Sequence, residues 1–101
     1  MNAKNEMHKN LFQQIDMVLS DSTYVLTRKE IHPAFFGNVI IEITNGVKDL
    51  QFVCDRGDIY LYKKNSSSAA WSDAELKFIH SENVTGNYNN LIIAIKQEIS
   101  K

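Results

Sequence analysis

Between Asn38 and Lys63 the chain alternates apolar and polar side chains, and the alternation is broken twice by residues that tolerate a left-handed backbone. Little besides an antiparallel meander satisfies that pattern. Val39, Ile41 and Ile43 face one way and Ile40, Glu42 and Thr44 the other, which is the period of a strand with one buried side. Leu50, Phe52 and Cys54 repeat it, followed by Ile59 and Leu61. Asn45-Gly46 and Arg56-Gly57 lie between these runs, where tight hairpin turns need φ > 0. Strands are therefore expected at Asn38 to Thr44, Leu50 to Asp55 and Ile59 to Lys63. Another is expected at Thr23 to Ile31, rich in Thr, Tyr and Val and limited by Pro33, which has no N–H for a ladder.

Register can be tested by facing the runs against each other. A two-residue turn at Arg56-Gly57 pairs Cys54 with Ile59 and Phe52 with Leu61, all apolar and on one face. At Asn45-Gly46 a two-residue turn would set Glu42 against Asp49, and like charges directly opposite are unfavourable. A four-residue loop, Asn45 to Lys48, instead pairs Ile43 with Leu50 and Ile41 with Phe52, and sets Glu42 against Gln51. The longer loop is the preferred register.

Helical periods flank the meander. From Asn5 to Ser20, Leu11, Phe12, Ile15, Val18 and Leu19 form one apolar stripe. Near the other end, Tyr88, Leu91, Ile92, Ile95 and Ile99 form a second stripe, in a helix expected from Asn87 to Ser100. Between them, after a loop at Asn65 to Ala70, Ser72-Asp73-Ala74-Glu75 reads as a capping box. Trp71 and Leu76 are spaced as its hydrophobic staple. A short helix is expected there, Asp73 to about His80, separated from the last by Gly86. The expected fold is α+β in a single domain, 1–101: an N-terminal helix, a four-stranded antiparallel meander and two C-terminal helices packed on the sheet. Its core is expected to contain Phe12, Ile15, Leu19, Ile41, Ile43, Leu50, Phe52, Ile59, Leu61, Leu91, Ile92 and Ile95.

Composition narrows the function classes. A chain of 101 residues has room for one domain. With 44% hydrophobic and 23% charged residues it is of globular type. Eleven basic side chains against twelve acidic ones leave a net charge of −1, which excludes a strongly cationic nucleic-acid binder. The single cysteine, Cys54, cannot close an internal disulfide. The polar start, Met1 to Asn10, has no apolar signal core, and no apolar run reaches a membrane span. A cytoplasmic protein is the expectation.

No catalytic, cofactor or metal constellation emerges. His8, His32 and His80 have no ligand spacing and Cys54 has no CxxC partner. Placed on the core face, Cys54 reads as an inert thiol. Asp55 and Asp58 flank a turn, where aspartate commonly bonds local backbone. Arg56-Gly57-Asp58 spells RGD, but integrin binding needs an extracellular context that nothing in the chain indicates. Gly37, Gly46, Gly57 and Gly86 are isolated and make no phosphate cradle. Tyr60 and Tyr62 could stack on bases, yet Glu42, Asp49, Asp55 and Asp58 share the sheet with them.

The runs Phe36-Gly37-Asn38-Val39-Ile40-Ile41-Glu42-Ile43 and Leu50-Gln51-Phe52-Val53-Cys54-Asp55-Arg56-Gly57-Asp58-Ile59-Tyr60-Leu61 resemble small bacterial immunity proteins of contact-dependent growth inhibition and other polymorphic toxin systems. The likeness covers about a quarter of the chain and lies in a hairpin signature, which bears on fold more than on function. It implies a non-enzymatic protein that neutralises a cognate toxin, often a nuclease, by stoichiometric binding in the cytoplasm, as a monomer in a 1:1 complex. A different interaction module, such as a secretion chaperone, or a small enzyme or nucleic-acid binder are the alternatives. The partner-binding candidates are Glu42, Asp49, Asp55, Asp58, Tyr60 and Tyr62. They belong to the sheet side opposite the core, with Ile40, Gln51 and Val53. Tyrosine suits a protein interface, and acidic turns suit a basic partner. That side is otherwise an ordinary solvated sheet face, or is covered by the expected short helix.

Overall fold

Strand alternation needs an apolar cover on one side, and the two amphipathic helices supply it. The computed structural model describes residues 3–32 and 38–101. Their order is α1 (Ala3–Ser20), β1 (Val25–His32), β2 (Asn38–Thr44), β3 (Lys48–Asp55), β4 (Asp58–Asn65), β5 (Glu75–Phe78) and α2 (Val84–Ile99). The five strands form one antiparallel sheet in the order β1-β2-β3-β4-β5. Pro33, Phe36 and Gly37, used above to limit a strand and to open the family motif, lie outside the described residues.

Both hairpins adopt the expected registers. Across β2 and β3, Ile43 meets Leu50, Ile41 meets Phe52 and Glu42 meets Gln51. The Asn45 side-chain oxygen closes this loop by accepting from the Val47 N–H at 2.9 Å and the Lys48 N–H at 2.8 Å. Across β3 and β4, Cys54 meets Ile59 and Phe52 meets Leu61. Arg56 at φ 52° and Gly57 at φ 91° supply the pair of positive φ angles that a two-residue primed turn requires.

One side of the sheet is closed. Val39, Ile41, Ile43, Leu50, Phe52, Cys54, Ile59 and Leu61 are buried against Leu11, Ile15 and Leu19 of α1 and Tyr88, Leu91, Ile92, Ala94 and Ile95 of α2. α1 lies over β1, and α2 over β3, β4 and β5, with the helices touching each other. Phe12 was expected in this core but is only half-buried, since α1 covers the sheet margin; there the Lys29 ammonium sits 4.9 Å from the Phe12 ring centroid.

The structure corrects the C-terminal half. The expected short helix at Asp73 to His80 is strand β5, so the sheet has five strands and one C-terminal helix instead of four and two. Ser72 caps nothing. Its N–H donates to the Lys63 carbonyl at 2.7 Å and its hydroxyl accepts from the Lys63 N–H at 2.9 Å. Pairing with β4 satisfies donors that would otherwise stand open on a sheet edge, and this outweighs a local capping pattern. Leu76, expected as a staple, lies opposite Tyr60, while Phe78 packs against the core. α2 begins at Val84 instead of Asn87, capped by the Asn83 side chain, which accepts from the Gly86 N–H at 2.7 Å. Gly86 is thus inside the helix, where any Cβ would lie 2.4 Å from the Ser81 hydroxyl.

Along α2 the inward stripe ends in a carboxylate. Glu98 is 5% exposed and meets Lys101 at 2.7 Å, Lys63 at 3.3 Å and Lys77 at 3.7 Å. Burial pushes this carboxyl up, but the hydrogen bonds from Lys101 and Lys63 outweigh it and hold the group below its usual range.

Two measurements check this architecture. Phe52→Ala empties the centre of the middle strand and is expected to cost about 3–5 kcal/mol in chemical denaturation. Ser72→Ala is expected to cost about 1 kcal/mol by orphaning the Lys63 N–H. Amide exchange should speed up at Lys63, whereas a helix cap would place the change at residues 73–76.

Candidate functional site

Among the described residues no helix covers the second face of the sheet. Cross-strand register arranges its side chains in rows. The central row runs across all five strands as Glu30, Ile40, Val53, Tyr60 and Leu76, about 19 Å at ordinary strand spacing. Beside it run Arg28, Glu42, Gln51 and Tyr62, and beyond them Val25, Thr44, Asp49 and Lys64. Ile40, Glu42, Gln51, Val53, Tyr60 and Tyr62 are each half-buried.

The six partner-binding candidates divide by position. Glu42, Tyr60 and Tyr62 are in the two middle rows, Asp49 is in the third row, and Asp55 and Asp58 face each other beside the β3–β4 turn. Their carboxylates do not form an open acidic patch. Arg28 forks between Glu42 and Glu30, with both contacts at 2.8 Å, and the Gln51 amide donates to Glu42 at 3.2 Å. Asp49 meets the Lys64 ammonium at 2.8 Å and accepts from the Ser66 hydroxyl at 2.6 Å. Lys64, Ser66 and Thr44 together lower its pKa to about 2. Asp58 accepts from the His80 backbone N–H at 2.7 Å and faces the His80 ring nitrogen at 3.0 Å; these contacts lower its pKa, the backbone bond most. Asp55 accepts from the Asn38 side-chain amide at 3.1 Å.

The remaining chemistry-bearing residues are dispersed. Cys54 is buried, and burial pushes its thiol up to about 11 against the opposing hydrogen bond from the Gly57 N–H. A thiol so placed stays protonated at neutral pH. His8 lies beside Tyr88 with ring centroids 6.1 Å apart, His32 lies 3.5 Å from Glu30, and His80 holds Asp58. Among the described residues no group of His, Cys, Asp or Glu is placed to hold a metal ion. The RGD triplet is a rigid hairpin turn, with Gly57 buried and the Asp58 carboxylate engaged by His80. No helix among the described residues is long and apolar enough to cross a membrane.

Arg28, Glu30 and Leu76 complete the face but escaped sequence reasoning. Leu76 was hidden by the capping pattern, although Leu76, Phe78 and the intervening Lys77 also fit a strand period. Arg28 becomes legible only once β1 is set against β2. Compared with family models, with curated proteins and with solved structures, the chain has no significant match.

The Asp49 contacts predict a pH dependence. A carboxylate lowered from 3.8 to about 2 stabilises the fold above its unfolded value. That contribution falls away as pH drops through the folded value. Asp49→Asn is expected to cost about 1 kcal/mol at pH 7, after solvent screening of this partly exposed pair. Equilibrium denaturation at pH 7 and near pH 2 checks it: the gap between the two proteins should close at the acid end.

Proposed function

We propose that the chain is a non-catalytic binding protein whose interface is the open sheet face. Following the resemblance of its hairpin sequence, its partner is a cognate bacterial toxin, neutralised in the cytoplasm by 1:1 binding that masks the toxin's working surface. The observation that carries this reading is the Ile40, Val53, Tyr60 and Leu76 row, over which no helix of the described residues lies, while the other side of the same sheet is closed by α1 and α2. Leu76 at its end is 51% exposed. An apolar and aromatic centre with polar groups around it is the anatomy of a protein interface. Tyrosine offers large contact area with a polar tip at small entropy cost.

Neutralisation by binding asks nothing catalytic of the chain, and the buried Cys54 and dispersed histidines are consistent with that. The test is growth of cells co-expressing this chain with the toxic domain encoded by the adjacent upstream gene. Wild type is expected to restore growth and to co-purify with the domain as a 1:1 complex. Tyr60→Ala with Tyr62→Ala is expected to weaken binding at least ~30-fold, about 2 kcal/mol, and to abolish rescue. The melting transition of this variant should stay close to wild type, as both side chains lie outside the core. Rescue by the double variant, or no complex with wild type, rejects the reading.

A further inference from the structure

On the open face Glu30, Glu42, Asp49 and Asp58 are held by cations or donors of neighbouring residues and Asp55 by an uncharged amide, and this limits what can sit on it. Glu42 and Glu30 share the Arg28 guanidinium, Asp49 takes Lys64, and Asp58 takes the His80 amide and ring. Between the Asp49–Lys64 pair and the Asp55–Asp58 turn, the strands β3 to β5 present Gln51, Val53, Tyr60, Tyr62 and Leu76, with Ile40 adjoining. None of these six is charged. Tyr60 and Tyr62 are half-buried, and each carries a polar hydroxyl at the tip of an aromatic ring.

With this face as the interface (the reading proposed above), we infer that the partner meets it with a neutral protein surface, apolar at its centre and bearing hydrogen-bonding groups for two tyrosine hydroxyls. A basic surface is not the match. A cation brought to Glu42, Asp49 or Asp58 must displace a cation or donor already in place, so it gains little and loses its own hydration. The apolar row gains by losing water whatever the salt concentration. A second copy of the chain fits less well. β3 is the middle strand of five, so a two-fold pairing of aligned faces lays β3 on β3. With the two-fold axis along β3, such a pairing sets Asp55 over Asp55 of the other copy. The Asp55 carboxylate is bonded by an uncharged amide.

Three measurements test this on the full chain and on its complex with the toxic domain encoded by the adjacent upstream gene. Sedimentation of the chain alone should give a monomer over a wide concentration range. A dimer that Val53→Lys dissolves would make a second copy the occupant and overturn the inference. Calorimetric titration of the complex should show less than about threefold weakening between about 0.05 M and 0.5 M salt, since a charge-driven contact is screened over that range. Val53→Lys should weaken binding at least ~30-fold by burying an unpaired charge, and Tyr60→Phe about fivefold by removing one hydroxyl. Both variants should melt near wild type. Loss of binding with Val53→Lys together with salt weakening above about tenfold would keep the face as interface and overturn the neutral partner. Wild-type affinity of Val53→Lys would remove the face itself, and this inference with it.

Discussion

One-sided burial of the sheet is the constraint on which the rest of the molecule depends. Phe52 occupies the middle strand with no exposed surface, and Ile41, Ile43 and Ile59 around it are equally buried. A sheet of five strands has two faces to cover, and this chain has two helices that pack side by side on one of them. Splitting the helices between the faces would leave each apolar stripe half-covered. Placing both on the Phe52 side closes a single core, in which Ile15, Leu91 and Ile95 reach zero exposure. Among the described residues no helix then covers the other face, and Ile40, Val53, Tyr60 and Tyr62 on it keep an intermediate burial.

The parts of this arrangement that were legible in the sequence are those decided within a few residues. Alternation assigned the inner faces of β2, β3 and β4. The conflict between Glu42 and Asp49 selected the loop at Asn45 to Lys48, and the observed pairing of Glu42 with Gln51 follows it. The outward set Ile40, Glu42, Gln51, Val53, Tyr60 and Tyr62 came from the same alternation, so most of the candidate face was readable in advance. The segment from Trp71 to Phe78 was not. Its first residues carry a capping box, and that local signal is worth only about 1 kcal/mol. The competing partner is β4, which follows only after the meander is built. Once it is, Lys63 offers both backbone groups to Ser72. Glu98 went unread for a related reason. It is on the inward stripe of α2, where helical period asks for an apolar residue, and its lysine partners come from β4, β5 and the residues after α2.

Glu98 and the open face show two uses of charge in one small domain. Glu98 is buried, and its three lysines tie the end of α2 to β4 and β5. Removing Glu98 would leave three lysine ammoniums beside one another without their shared counter-charge, so the cluster acts on which element packs where. On the open face the pairs are partly hydrated and individually weak. Arg28 between Glu30 and Glu42, with Gln51 on the same Glu42 oxygen, holds four side chains from three strands in one arrangement. A surface already ordered loses less conformational freedom when a partner arrives, and that reduction in entropy cost favours binding.

The edges of the sheet are built against the addition of a further strand. A sheet can also bind by adding a strand to an open edge, and both edges here are built against it. β5 is four residues long, carries Glu75 and Lys77, and is joined to β4 through a register shift between Ile59 and Tyr60. β1 carries Arg28, Lys29 and Glu30 and has its own shift between Leu26 and Arg28. Short length, charge and bulges each spoil the flat run of free donors and acceptors that an added strand needs. On the face, the uncharged residues Ile40, Val53, Tyr60 and Leu76 run from β2 to β5, and from β2 to β4 no register shift interrupts them. A partner seated on the face, as proposed, would leave the backbone ladder untouched, so the core that closes one side of the sheet would stay the same whether the other side is occupied or empty.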